Sequence, residues 1–253
     1  MAECTLSHCM SSDADKILFE LAGVDAERRW RATDPDLAQR VVVLKAYQQL
    51  RFSHTYADLL ASDRYSPAAR FFLNELYGPS DFTRRDAQFA RVVPALVRLF
   101  PREIVRTVAT LARLHALSES LDTEMARRMT SDLLDAEGYA LAWRATGRRT
   151  DREQQIALTL DVASALDTLT GKVLIRNSLR LMRGPARAAG MSELQSFLEA
   201  GFDTFRAMGG AREFIRIVGE REHSLAETLF IDGMSASASG LLPDAVGTDG
   251  STQ

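Results

Sequence analysis

The chain is poor in lysine, cysteine and histidine, and each scarcity excludes a class of protein. Its 31 basic residues include only three lysines, Lys16, Lys45 and Lys172, and it has four histidines. Its two cysteines, Cys4 and Cys9, lie close together near the N-terminus. Two such cysteines cannot crosslink a core, and a protein without a disulfide framework gives no indication of secretion.

No apolar run approaches the roughly 20 residues that a membrane-spanning helix needs. Residues 1–12 have neither a basic start nor an apolar centre, so they do not form a signal peptide. A net charge of -3 gives no electrostatic case for binding nucleic acid or an anionic membrane. The sequence therefore predicts a cytoplasmic protein with no membrane span and no nucleic-acid partner.

What the chain does contain is typical of a globular protein: 253 residues, 46% hydrophobic and 26% charged. Arginine makes up nearly all of the basic residues. Arginine binds carboxylates and phosphates through two parallel hydrogen bonds, which is one explanation for its abundance. Codon preference in a GC-rich genome is the other, and the even spread of arginine along the chain favours it.

Apolar residues recur at helical spacing through most of the chain, and no stretch alternates as a strand would. The sequence predicts an all-α fold, a compact bundle of about nine helices around a short buried helix at 67–77. Ser66 and Pro67 mark the start of this helix, and Gly78-Pro79 marks its end. Its apolar side chains face several directions, as is typical of a helix surrounded by others. They are Phe71, Phe72, Leu73, Leu76 and Tyr77.

Three regions follow from this pattern. Residues 1–12 are predicted to be a flexible leader, and residues 13–230 a single helical domain. Residues 231–253 turn to Ser, Gly, Ala and Asp without Lys or Arg, which predicts a disordered tail.

Residues 71–79, Phe-Phe-Leu-Asn-Glu-Leu-Tyr-Gly-Pro, resemble the signature of the FFLEELY-motif proteins, an uncharacterised bacterial family. The chain departs from the signature at Asn74, where the motif has Glu. Residues 55–60, 81–86, 185–190 and 197–202 resemble the flanking segments, so the likeness covers about 34–230. The resemblance implies a bacterial protein and brings no activity, cofactor or ligand with it.

Polar residues cluster around the short helix and are the candidate ligand-binding residues. They are Tyr56, Asp58, Arg64, Glu75, Tyr77, Asp81, Arg85 and Asp86. The arginines of this cluster could hold a carboxylate or phosphate in a small pocket. Alternatively, the cluster consists of ion pairs that lock helix ends together, and the sequence favours this second interpretation.

Metal and haem sites have weak support. Glu220 and His223 have the i,i+3 spacing of di-iron bundles, but the only nearby His/Glu pair, His115 and Glu119, has a spacing of four. His115 is the one reasonable candidate for an axial haem ligand. We therefore predict no cofactor.

No Gly-x-Ser-x-Gly, HExxH or strand-associated glycine loop indicates catalysis. We predict a binding protein that is not an enzyme, whose ligand is a protein partner, a second copy of itself or a small anionic molecule. The alternative is a sensor or enzyme with a haem or metal in a helix-lined pocket.

Overall fold

The computed structural model of the chain describes residues 12–75, 82–231 and 240–244. These ranges contain eleven helices and no strand, which confirms the all-α prediction for the part described. In chain order the helices are α1 Asp13–Arg31, α2 Pro35–Thr55, α3 Ala57–Ala61, α4 Ser66–Glu75, α5 Thr83–Leu99, α6 Arg102–Arg128, α7 Ala136–Thr146, α8 Arg149–Thr170, α9 Val173–Ala188, α10 Ser192–Ala207 and α11 Arg212–Ile231. None of them is both long and apolar enough to cross a membrane.

Several helix starts lie where cap residues predict them. Ser12 forms a capping box with Asp15 at the start of α1. Asp34 accepts from the Leu37 amide at the start of α2, and Pro35 takes the first helical position. These caps satisfy amides that the helix itself leaves without partners.

The structure has more helices than the predicted nine or so, and Tyr56 is one reason. The sequence predicts one helix to about Ser62, but the backbone at Tyr56 leaves the helical region with φ -116° and ψ 25°. The Tyr56 side chain is fully buried there, and its hydroxyl donates a 2.7 Å hydrogen bond to Glu222 of α11. This tertiary contact separates α2 from α3.

The helix predicted at 67–77 is not the centre of the fold. Within its described part, α4, one face is buried through Ala68, Ala69, Phe71 and Phe72, while the opposite face is open to solvent. It packs against α2, α3 and α10. The aromatic side chains that suggested burial on all sides pack on this one face: the Phe71 ring, for example, lies against Gly201 of α10, where a Cβ would be 3.0 Å away.

The centre is α6, the longest helix, which contacts α1, α2, α5, α7 and α8. Buried apolar residues form three clusters around it and beside it. One lies between α2, α6, α7, α8 and α11, a second between α2, α3, α4, α8, α10 and α11, and a third between α1, α5 and α6.

The predicted disordered tail requires a correction at residues 240–244, which pack on the helices. Leu242 is buried in the first apolar cluster. The Tyr47 hydroxyl donates a 2.8 Å hydrogen bond to the Pro243 carbonyl, and His54 Nε2 lies 2.8 Å from the Gly240 carbonyl. A few apolar residues with backbone hydrogen bonds are enough to hold this segment, although its neighbours are polar.

A buried carboxylate joins the first two long helices to α6. Glu119 of α6, 3% exposed, accepts from Arg28 at 3.1 Å, Arg31 at 2.6 Å and Lys45 at 2.8 Å. Burial alone raises the pKa of Glu119, but the charges of Lys45 and Arg31 outweigh it and hold the pKa well below its ordinary value. The ionised carboxylate is therefore the stable form in the folded protein.

We expect Glu119→Gln to lower the free energy of unfolding by about 3–5 kcal/mol, because it leaves three cations around a neutral amide. Glu124→Gln, on the exposed side of the same helix, removes surface pairs with Arg127 and Arg128 and should cost less than about 1 kcal/mol. Urea unfolding followed by circular dichroism measures both. Equal costs for the two variants contradict a structural role for Glu119.

The loss of stability in Glu119→Gln should also depend on pH. Folding lowers the pKa of Glu119, so its contribution is complete above the ordinary glutamate pKa of about 4.3 and is lost as the pH falls toward the lowered value. The difference in unfolding free energy between wild type and Glu119→Gln should shrink below about pH 4.3. A free-energy difference that grows as the pH falls has the opposite sign and contradicts a lowered pKa of Glu119 in the folded protein.

Candidate functional site

A cavity of about 220 Å³, partly open to solvent, lies between α2, α6, α8 and α11, and α5 and α10 line one side of it. One water molecule needs only about 10–15 Å³ on the same measure, so the cavity has room for an organic molecule. Its lining is mainly apolar, with polar groups gathered in one part. Mostly apolar walls with a few converging polar groups are typical of ligand sites.

Two helices supply most of the wall through their regular spacing. On α6 the lining residues recur every three or four positions, and on α8 they do the same. They are Val108, Leu111, Ala112, Leu114, His115, Ser118 and Asp122 of α6, and Arg152, Gln155, Ile156, Thr159, Leu160 and Ala163 of α8. Helix α11 approaches α8 closely at Gly219, where a Cβ would lie 3.1 Å from Leu160.

Arginine and carboxylate side chains meet at the polar part of the cavity. Arg51 of α2 pairs with Glu222 of α11 at 2.5 Å, and Tyr56 donates to the same carboxylate. Next to them, Gln48 donates a 2.9 Å hydrogen bond to Asp122. Burial raises the pKa of Asp122 even though Lys45 lies near it, so its ionised form is disfavoured.

Arg152 differs from Arg51 in its partners. It is 4% exposed, and no carboxylate within the described residues lies within 4.0 Å of its guanidinium. It donates instead to Gln155 at 3.0 Å and to the Met125 sulfur at 3.4 Å, and it stacks over the Trp143 ring at 4.1 Å. Burial lowers the pKa of Arg152, yet arginine remains charged in proteins. The cavity therefore holds a cation without a direct counter-ion.

Tyr139 of α7 adds a second polar group to this part of the wall. Its ring stacks on Tyr47, and its hydroxyl has no hydrogen bond to any residue in the described ranges. Burial raises the pKa of Tyr139 despite the charges of Arg51 and Arg152 nearby. Its neutral hydroxyl can donate one hydrogen bond to a ligand.

Charged residues also line the side of the cavity formed by α5 and α10, where some of the lining residues are partly exposed to solvent. Arg85 pairs with Glu75 at 3.1 Å and lies over the rings of Phe82 and Phe197. Asp86 lies 2.8 Å from both Arg28 and His115 Nε2. Burial raises the pKa of Asp86, but these two partners lower it more, so the carboxylate is ionised.

The structure brings together only some of the candidate ligand-binding residues. Tyr56, Arg85 and Asp86 line the cavity. Asp58 pairs with Arg221 at the surface, and Arg64 donates to the backbone carbonyls of Met208 and Gly210. Glu75 binds Arg85 without lining the cavity. Tyr77 and Asp81 fall outside the described residues.

Sequence reasoning missed the residues at the polar part of the cavity. They are Gln48, Arg51, Asp122, Tyr139, Arg152 and Glu222. A signal did exist for Arg152, since it lies one turn before Ile156 and two turns before Leu160, on the apolar face of α8. A charged side chain on an apolar helix face is rarely buried unless it is paired, so this position indicates a candidate for binding a partner of opposite charge.

The metal and haem hypotheses find no support in the described residues, where no group of three or more His, Cys, Asp and Glu side chains is placed to hold a metal. Glu119 is bound to three cations. His115 Nε2 hydrogen-bonds with Asp86, so ligation of haem iron through that atom would break the bond.

The family described as "Domain of unknown function (DUF8198)" matches residues 27–235. The chain belongs to this family. No curated protein and no solved structure matches it. This membership agrees with the prediction of an uncharacterised family but does not show the FFLEELY-motif family itself, and it assigns no chemistry to the cavity.

Two buried alanines test whether the cavity is empty space. Ala163 lines it, whereas Ala140 of α7 is about as buried and lies in the first apolar cluster. We expect Ala163→Leu to change the free energy of unfolding by less than about 1 kcal/mol, because the added atoms enter existing space. Ala140→Leu should cost about 1–3 kcal/mol through overpacking. Urea titration measures both, and equal losses contradict the cavity.

Proposed function

We propose that this protein binds a small ligand with an apolar body and a single carboxylate, held in the cavity between α6 and α8. Arg152 is the observation that carries the proposal. A buried guanidinium without a counter-ion is costly, and a carboxylate on the ligand would supply the missing charge through two parallel hydrogen bonds.

The charge count favours one negative charge on the ligand. Arg51 is neutralised by Glu222, and burial disfavours the ionised form of Asp122. Arg152 is then left as one positive charge at the polar part of the wall. A dianion such as a phosphate monoester would place its second negative charge near Glu222 without a cation to balance it.

The apolar part of the cavity wall determines which chemical groups the rest of the ligand can carry. Phenylalanine, leucine and valine side chains from eight helices face the cavity, including Phe52, Phe72, Leu160, Phe214 and Val218. Such a surface favours an alkyl or similar apolar group at about 0.8 kcal/mol for each buried methylene. A straight-chain fatty acid of medium length has both required parts and is a suitable probe.

Decanoate binding tests the role of Arg152. We expect Arg152→Gln to weaken decanoate binding about 10- to 100-fold, the loss of one charge-assisted contact, and to leave decanol binding unchanged. Isothermal titration calorimetry measures both ligands, and decanol reports whether the variant still has a folded cavity. The control is Arg149→Gln, which alters an exposed arginine paired with Glu153 on the same helix.

Two results would reject the proposal. One is a wild-type protein that binds neither decanoate nor its shorter and longer homologues. The other is an Arg152→Gln variant that binds decanoate as tightly as wild type does.

Chain length tests the apolar wall separately. From octanoate to decanoate, each added methylene should raise affinity about fourfold until the cavity is full. Ala163→Leu shortens the available space, so its best ligand should be a shorter acid than that of wild type. An affinity that does not vary with chain length contradicts burial of the alkyl group.

A further inference from the structure

Helix α9 differs from the rest of the chain in its charge. Residues 172–191 contain five basic residues and no acidic one, in a chain whose net charge is -3. The low net charge of the whole protein therefore conceals a local basic surface. The basic residues are Lys172, Arg176, Arg180, Arg183 and Arg187.

The same helix leaves large apolar side chains in water. Leu174 is 80% exposed and Leu181, two turns later, is 79% exposed. Ser178 and Pro185 lie on this outer face between and beyond them, and Met182 widens it. Ala186, on the other side of the helix, is buried toward the protein, so the outer face has no partner among the described residues.

The arginines of α9 form a stripe on the opposite side of the helix from this apolar face. Arg176 pairs with Asp203 and Arg183 with Glu199, both on α10. Arg180 and Arg187 are exposed, and no described carboxylate lies within 4.0 Å of either. Long arginine side chains can extend from a helix to charged groups some distance from its axis.

We propose that the outer face of α9 docks on an anionic lipid bilayer. Exposed leucines on one side and arginines on the other are the two features of a helix that lies in a membrane interface, with its apolar side in the acyl region and its cations at the phosphates. A second copy of the chain fits less well, because α9 has no acidic residue, so a two-fold contact between α9 helices offers Arg180 and Arg187 no carboxylate.

The position of α9 relates this surface to the cavity. Helix α9 packs on α10, and α10 contributes Phe197 and the partly exposed Leu198 to the cavity wall. Docking through α9 places this side of the cavity near the bilayer. The docking proposal rests on α9 alone and does not require that the cavity bind a carboxylate.

Co-sedimentation of the full chain with vesicles tests the proposal. Wild type should bind phosphatidylglycerol–phosphatidylcholine vesicles at least about tenfold more tightly than pure phosphatidylcholine vesicles, and less tightly at high salt. The double variants Leu174→Ser/Leu181→Ser and Arg180→Glu/Arg187→Glu should each weaken binding about tenfold or more. The control is Arg98→Glu/Leu99→Ser, which makes the same changes at another exposed leucine.

Circular dichroism should show unchanged helicity in all three variants, because none of the substituted residues is buried. Absence of a preference for the anionic vesicles overturns the proposal, as does equal binding by the α9 variants and wild type. A third result also overturns it: wild type is a dimer by gel filtration, Leu174→Ser/Leu181→Ser is a monomer, and neither protein sediments with vesicles. The outer face of α9 would then bind a second copy of the chain.

Discussion

The carboxylate of Glu119 is the group on which the arrangement of the long helices depends. It lies on the central helix, away from water, and accepts from Arg28 and Arg31 of α1 and from Lys45 of α2. An ionised group in that position is tolerated only when cations surround it. Helices α1 and α2 are therefore tied to α6, and α2 is held where Gln48 and Arg51 can reach the cavity.

Buried charges are also paired at the cavity wall, with one exception. Arg51 and Glu222 satisfy each other, whereas Arg152 has only neutral partners and an aromatic ring. Among the described residues, Arg152 is thus a buried charge that the fold does not itself neutralise. That residual charge, rather than family membership, supports a ligand-binding function, because the DUF8198 family carries no assigned activity.

Much of the secondary structure could be predicted from the sequence, because caps and apolar spacing act locally. Asp34 and Pro35 begin α2 where expected. The break at Tyr56 could not be predicted, since it depends on a hydrogen bond to Glu222, 166 residues away. The predicted central position of α4 was wrong for a related reason. Aromatic content shows that a helix has apolar neighbours, but it does not show on how many sides they lie. Three of the eight candidate site residues line the cavity, Tyr56, Arg85 and Asp86, and two lie outside the described ranges.

The sequence by itself determined that the described part of the chain is helical, where many of its helices begin, and that none of the described helices is long and apolar enough to cross a membrane. Only the tertiary structure decided which charged side chains are buried together and which of them lacks a counter-ion. Helical spacing places Arg152 on an apolar face, but the carboxylates that could neutralise it are on other helices. Whether they reach it depends on how those helices pack, and packing is a property of the whole chain.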